Sequence, residues 1–234
     1  MKKVLLGLFA LASVSAVAAE GVNVYGRLGL DVYSHYNKVT GEDGEVTVKA
    51  KGKVAPSIAV EVTKDLGSNF EAGLGLGYVW HGKRDYKESD IYIDIIYEDE
   101  NEKIMKAGKS EAKGKIPAIN SIPLYVTGKY KFDTGSDIKP YIKADLGYSF
   151  NKMKKSMTVT EKKLTTGETE TYTEGLKAKN GLYAGVGVGV EYNNVTADLS
   201  YVLTKSKIKY EDGSDADKAN NRAVRLTVGY KFAF

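Results

Sequence analysis

The sequence predicts an all-β protein, a transmembrane antiparallel up-and-down β-barrel of eight strands. Three observations predict it: an export leader, recurrent period-two alternation of apolar and polar residues, and connections that alternate between short and long.

The chain opens MKKVLLGLFALASVSAVAAE, with Lys2 and Lys3, an apolar run from Val4 to Ala12, and small residues up to Ala19. The apolar run is too short to cross a bilayer as a helix, and the Ala-x-Ala exit completes a secretory signal peptide over residues 1–18. Cleavage falls after Ala18, with Ala19 as the neighbouring choice, and residues 19–234 form one domain. Loss of Lys2 and Lys3 lowers the net charge from +4 to +2. The remaining lysines are spread along the chain without a basic stripe interleaved with aromatics, so no nucleic-acid partner is implied. Cysteine is absent. Disulfide staples, thiolate nucleophiles and cysteine zinc sites are thereby excluded.

The first strand is expected at about 22–36, with Val22, Val24, Leu28, Leu30 and Val32 on one face and Asn23, Tyr25, Arg27, Asp31 and Tyr33 on the other. A second at about 54–63 sets Val54, Ile58, Val60 and Val62 against Ser57, Glu61 and Thr63. The third, about 70–81, sets Phe70, Leu74, Leu76, Tyr78 and Trp80 against Glu71 and a row of glycines. Strands follow at about 121–132, 138–150, 181–192 and 195–205. The eighth begins near 222 and carries Val224, Leu226, Val228, Tyr230, Phe232 and Phe234 on one face. Each is long enough to cross a membrane at a tilt.

Short connections follow the second strand (LGSN), the fourth (DTGSD) and the sixth (Asn193-Asn194, read as a type I′ turn), while 37–53, 82–120, 151–180 and 206–221 are long and polar. In membrane barrels the short rim is periplasmic and the long loops are extracellular, which also places both termini in the periplasm. Residues 90–99 and 103–109 are a further alternating pair, which leaves ten strands as the alternative. A β-hairpin above the membrane is preferred, because Lys103 and Lys109 fall on one face and Lys106 on the other, and a lipid-facing lysine at mid-bilayer costs about 2–4 kcal/mol. The loop stretch 158–179, with TVT and TETYT, is hydrophilic and β-extended in character.

The polar face settles which side is the lumen. It carries Gly29, Gly73, Gly75, Gly77, Gly147, Gly185, Gly187, Gly189 and Gly229, which weaken an exposed sheet but make room inside a narrow barrel. The same side holds Arg27, Lys129, Lys131, Lys143, Arg225 and Lys231 with Asp31, Glu61, Glu71, Asp145, Glu191 and Asp198. Such groups must pair with one another, since an isolated buried charge is very costly. They are read as a plug network. Tyr36, Phe70, Trp80, Tyr130, Phe132, Phe150, Tyr192, Tyr230, Phe232 and Phe234 are placed at strand ends on the apolar face, where interfacial aromatic girdles form.

Together these features resemble the small bacterial outer-membrane β-barrel family, the OmpA/OmpX/OmpW-like barrel domains. The terminus GYKFAF and the hairpin IPLYVTGKYKFDTGSDIKPYIKADLGYSF at 122–150 carry the resemblance most specifically. It implies an outer-membrane location, contact with outer-membrane lipid and lipopolysaccharide, and periplasmic chaperones during export. It also implies a C-terminal assembly signal, Tyr230, Phe232 and Phe234, read by the barrel-assembly machinery. Full OmpA carries a peptidoglycan-binding domain after its barrel, whereas this sequence stops at the barrel's last residue, so the resemblance does not imply cell-wall tethering.

No catalytic motif stands out: GxSxG, HExxH and phosphate-cradling loops are absent. His35 and His81 both fall on the lumen parity near loop-side strand ends, too few and too far apart for a metal site. A rim hydrolase using either histidine with Asp85 or Asp90 is the weaker rival, since spacing selects neither acid. No cofactor is expected and the protein is not expected to be an enzyme. Eight strands leave room for side chains or one small ligand and not for an aqueous channel. The expected role is structural or surface interaction, in adhesion or envelope integrity, with a host or surface ligand met at the loops. The alternative is a narrow route for small or apolar solutes, as OmpW-like barrels would allow.

Overall fold

The computed structural model describes residues 21–37, 46–48, 52–99, 102–153, 156–164, 166–210 and 218–232. The expected leader and Phe234 lie outside the described residues. In chain order the strands are β1 (Val22–Tyr36), β2 (Val46–Val48), β3 (Ala55–Asp65), β4 (Phe70–Val79), β5 (Arg84–Asp99), β6 (Glu102–Ile116), β7 (Asn120–Lys131), β8 (Ile138–Lys152), β9 (Ser156–Lys163), β10 (Thr169–Lys179), β11 (Gly181–Tyr192), β12 (Val195–Thr204), β13 (Lys207–Tyr210) and β14 (Asn221–Phe232). Eight of them close a barrel in the order β1-β14-β12-β11-β8-β7-β4-β3, antiparallel throughout. The strand number is settled at eight by one pairing. β4 bonds directly to β7, from Phe70 opposite Tyr130 to Val79 opposite Ser121, so the hairpin β5–β6 is left outside the wall.

The other six strands, all from the long loops, form a second sheet in the order β13-β10-β9-β6-β5-β2. Sequence reading expected the β5–β6 hairpin and the extended character of 158–179, but not their union into one sheet. That union depends on β6 pairing with β9 at Ser110 opposite Lys163, a contact 53 positions apart that no local pattern announces.

The two sheets bury opposite chemistries. In the membrane strands the outward side is apolar and exposed, as at Leu28, Leu74, Leu124, Leu146, Val188 and Leu226, while the inward side is charged. In the outer sheet the buried side is apolar: Ala112, Ile116, Met157, Val159, Leu176 and Ile208 pack with Ile119 and Ala219 from the connections. Exposed Thr158, Thr160, Lys113 and Lys115 occupy the alternate positions. The buried side stays the same side across the junction, since Asn151 in β8 precedes Met157 in β9 and Thr204 in β12 precedes Ile208 in β13 at even spacing. Asn151 ties the junction. Its side-chain nitrogen donates to the carbonyls of Lys179 and Lys205, both at 3.1 Å, and its backbone N–H donates to Asn180 Oδ1 at 2.9 Å.

Two local expectations are corrected. A β-bulge in β1 between Asp31 and Tyr33 shifts the register against β14 and reverses the alternation beyond it. Tyr33, expected inward, is exposed, and Tyr36, expected in the outer girdle, is buried on the lumen side. His35 leaves the lumen parity with them and lies half-buried, its ring stacked on that of Tyr33 at 6.5 Å. In the Asn193-Asn194 turn only Asn193 has positive φ, 51°, so the type I′ expectation, which needs it at both residues, does not hold.

Candidate functional site

The inward face of the barrel is laid out by strand alternation, so every second residue of each wall strand points at its counterparts across a narrow lumen. The twelve charged residues singled out above all lie on this face, in three tiers from the loop end to the short-turn end. At the loop end Arg225 donates to both oxygens of Asp31, from Nε at 2.5 Å and from Nη2 at 3.2 Å, a bidentate clamp across β14 and β1.

The middle tier centres on Glu61, which is 0% exposed. It receives Arg27 Nη1 at 3.0 Å, Lys143 Nζ at 2.5 Å and the Tyr125 hydroxyl at 3.0 Å. Arg27 bridges onward to Asp198, Tyr141 donates to the same carboxylate at 2.9 Å, and Lys143 reaches Asp145 at 3.4 Å.

Toward the short turns, Lys129 meets Glu71 at 3.2 Å and Lys131 lies between Glu71 at 2.8 Å and Glu191 at 3.0 Å. Lys231 closes the tier on Glu191 at 2.9 Å. Tyr25 donates to Glu71 at 3.1 Å, Thr63 bonds the same carboxylate, and the Lys129 ammonium sits 3.6 Å from the Tyr25 ring centroid. A buried charge in this position needs several partners at once, because desolvation penalises each ion heavily. Glu61 and Glu71 each have at least three.

The tyrosines are what the sequence reading left out of the network. Tyr125, Tyr141 and Tyr183 are buried, and Tyr125 packs on Tyr183 with ring centroids 5.2 Å apart. Their alternation with Lys129, Lys143 and Glu191 was the available signal. They also explain individual glycines: a Cβ on Gly189 would lie 2.6 Å from Cζ of Tyr141, and Gly75 lies directly against the Tyr125 ring. Glycine on this face therefore accommodates aromatic rings as well as charges. Among these side chains lies a cavity of about 30 Å³ lined by Arg27, Glu61, Lys143, Asp145, Asp198 and Arg225 with their neighbours, enough for about one water.

Above the loop-end tier, His81 is buried between β4 and β5, its ring edge-on to Tyr36 with centroids 6.2 Å apart. Arg84 lies over the Tyr36 ring at 4.1 Å. Burial holds the His81 imidazole down at about 4; Asp31 opposes this and the Arg225 and Arg84 cations add to it. His35 and His81 are not brought together, and among the described residues no group of three His, Asp or Glu side chains is placed to hold a metal.

On the outside, Tyr230 and Phe232 of the expected assembly signal face away from the lumen, edge to face at 5.2 Å. Phe232 lies over Gly26 across the β1–β14 seam, where a Cβ would come within 3.2 Å of its ring. Phe70, Tyr130 and Tyr192 join them at the short-turn end, all exposed.

A family model described as outer membrane protein beta-barrel domain matches residues 4–232. An uncharacterized protein of Pasteurella multocida (strain Pm70) is 32% identical over 241 residues, covering 99% of this chain and 98% of its own length. Among solved structures, Neisserial surface protein A is similar at 17% identity with a TM-score of 0.39, over 91% of this chain and 98% of that one. The outer membrane protein OprG of Pseudomonas aeruginosa is similar at 14% identity with a TM-score of 0.38, over 91% of this chain and 96% of that one.

Proposed function

This chain belongs to the outer membrane protein beta-barrel domain family and is an outer-membrane protein, and from that premise we propose that it serves as a closed structural barrel that presents an outer sheet for surface interaction and envelope integrity. The observation that carries this reading is the cross-linked lumen. Charges of both signs contributed by wall strands right around the barrel are joined in tiers, and the space among them is a cavity of about 30 Å³. The apolar cluster around Val159 and Leu176 adds a buried apolar layer at the loop end. A hydrated ion would have to separate buried pairs to pass, and breaking one such pair is strongly unfavourable, by about 3–5 kcal/mol.

Planar-bilayer recording of the refolded protein tests the proposal. No stable unitary conductance is expected over the usual range of voltage. Large, steady openings from the purified wild-type chain would overturn it in favour of the narrow-channel alternative.

A further inference from the structure

The hairpin β5–β6 is chemically divided along its length. Register sets Lys87 opposite Lys113 and Asp85 opposite Lys115, on the face away from buried Arg84, Ala112 and Ile116. Lys83, Lys87, Lys113 and Lys115 are exposed at the base of that face. With Lys162 and the threonines of β9 they border a groove of about 720 Å³. Asp85 and Glu111 also line the groove, and Glu111 is held by Lys113 at 2.7 Å. The tip has the opposite charge: Glu98 and Asp99 end β5, and Glu102 begins β6 opposite Asp99.

Between the two ends, alternation carries the face of Lys87 and Lys113 through positions 91, 93 and 95 of β5 and 105 and 107 of β6. Those positions hold three isoleucines, Met105 and Ala107. Lys87 and Asp99 are separated by about 40 Å of extended chain, several screening lengths. Neither end therefore neutralises the other within one molecule.

A face that is basic at its base, apolar in the middle and acidic at its tip is complementary to itself turned end for end. Position 93 lies midway between Lys87 and Asp99, and Ala107, its cross-strand partner, lies midway between Lys103 and Glu111. A two-fold axis through that pair, running across the strands, sets Lys87 on Asp99 of a second copy and Lys103 on its Glu111. Ile91 meets Ile95 and Ile93 meets its own counterpart, while Lys109 lies over Met105, against which its apolar stem packs. Aligned sheets stack in this way about 10 Å apart, and each off-axis contact occurs twice. The axis also fixes where the second copy stands. Turning the hairpin end for end reverses the membrane normal, so the second copy is anchored in a facing membrane. Copies side by side in one membrane point the same way and would set lysines against lysines.

We propose that the outer face of β5–β6 is a homophilic contact that joins this protein to a second copy in an apposed outer membrane, the acidic tip of each entering the lysine groove of the other. A soluble acidic ligand would use the groove alone and leave the isoleucine face and the acidic tip without a role. Many copies in each membrane add their contacts, so a modest single contact holds two surfaces together. The inference rests on the outer-membrane placement and outward loop end adopted under the proposed function, and names the partner of the outer sheet.

The test uses the full chain reconstituted into phosphatidylcholine vesicles that carry one of two fluorophores, with docking read by light scattering and by energy transfer between the labels. Wild-type vesicles are expected to cluster, more weakly at high salt, and protein-free vesicles to stay dispersed. K87E/K113E and, separately, D99K/E102K are each expected to slow clustering on the order of 30-fold, since each variant removes exposed ion pairs twice over. Vesicles bearing K87E/K113E mixed with vesicles bearing D99K/E102K should cluster with one another, because acid again meets base at both ends. I93D tests the axis: it should fail to cluster with itself and should cluster with I93K.

Heat-shifted gel migration checks that each variant is folded. Wild-type vesicles that stay dispersed, reversed-charge populations that do not recognise each other, or clustering that requires an added soluble polyanion would each overturn the proposal. So would cross-linking of copies only within one bilayer. Conductance measured on the same samples separates the two readings: a silent barrel whose vesicles stay dispersed sinks only the homophilic contact.

Discussion

Glu61 shows how one residue organises the lumen. It lies on β3 yet collects Arg27 from β1, Tyr125 and Lys129 from β7 and Lys143 from β8, so its carboxylate compensates several buried cations at once. Glu61→Gln preserves shape and removes the charge. It is expected to destabilise the barrel by about 3–5 kcal/mol, the cost of leaving buried cations unpaired, measured as a lowered midpoint of urea unfolding in lipid. His81 offers a pH signature of the opposite kind. Its folded-state value of about 4 lies below the unfolded 6.5, so the fold favours the neutral ring. That contribution is complete above pH 6.5 and is lost as pH falls from 6.5 toward 4. His81→Gln should flatten the stability profile in that window, read as the urea-unfolding midpoint of the two proteins between about pH 4 and 7.

At the level of elements, alternation is obeyed until a backbone irregularity resets it. β14 keeps strict period two from Asn221 to Phe232, and its outward residues are the ones read from sequence. Leu226 sits midway between Leu30 and Leu199 in the sheet. Leu226→Arg is expected to lower stability by about 2–4 kcal/mol, with Thr227→Ser on the opposite face as a mild comparison, both read from unfolding midpoints. β1 breaks the rule. Residues 22–36 read as one uninterrupted pattern, but the bulge at Asp31 to Tyr33 turns the last residues over. Tyr36 is thereby brought beneath Arg84 and beside His81. Nothing in the local pattern marks the bulge, because Tyr, Ser and His suit either face of a strand near the interface.

For the whole molecule, the barrel and the outer sheet are one chain folded under two solvents. Against lipid the wall is apolar outside and charged inside; above the headgroups it is lysine and threonine outside and apolar inside. Since β4 pairs directly with β7, the hairpin β5–β6 is not needed for closure. Replacing residues 84–116 by a short Gly-Ser linker is expected to leave a barrel that still shows heat-shifted gel migration and strong β circular dichroism. Loss of both would mean that the hairpin is part of the wall. The sequence by itself determined the eight wall strands, the outward faces read for β3, β4 and β14, and the inward charges, because a period of two and a low-dielectric surround leave little freedom in where each residue points. Only the tertiary structure decided which charges pair, where β1 turns over, that the tyrosines and glycines fit one another, and that six loop strands unite. Those outcomes depend on register between segments tens to nearly two hundred residues apart, as with Arg225 and Asp31, and no period within a single strand encodes them.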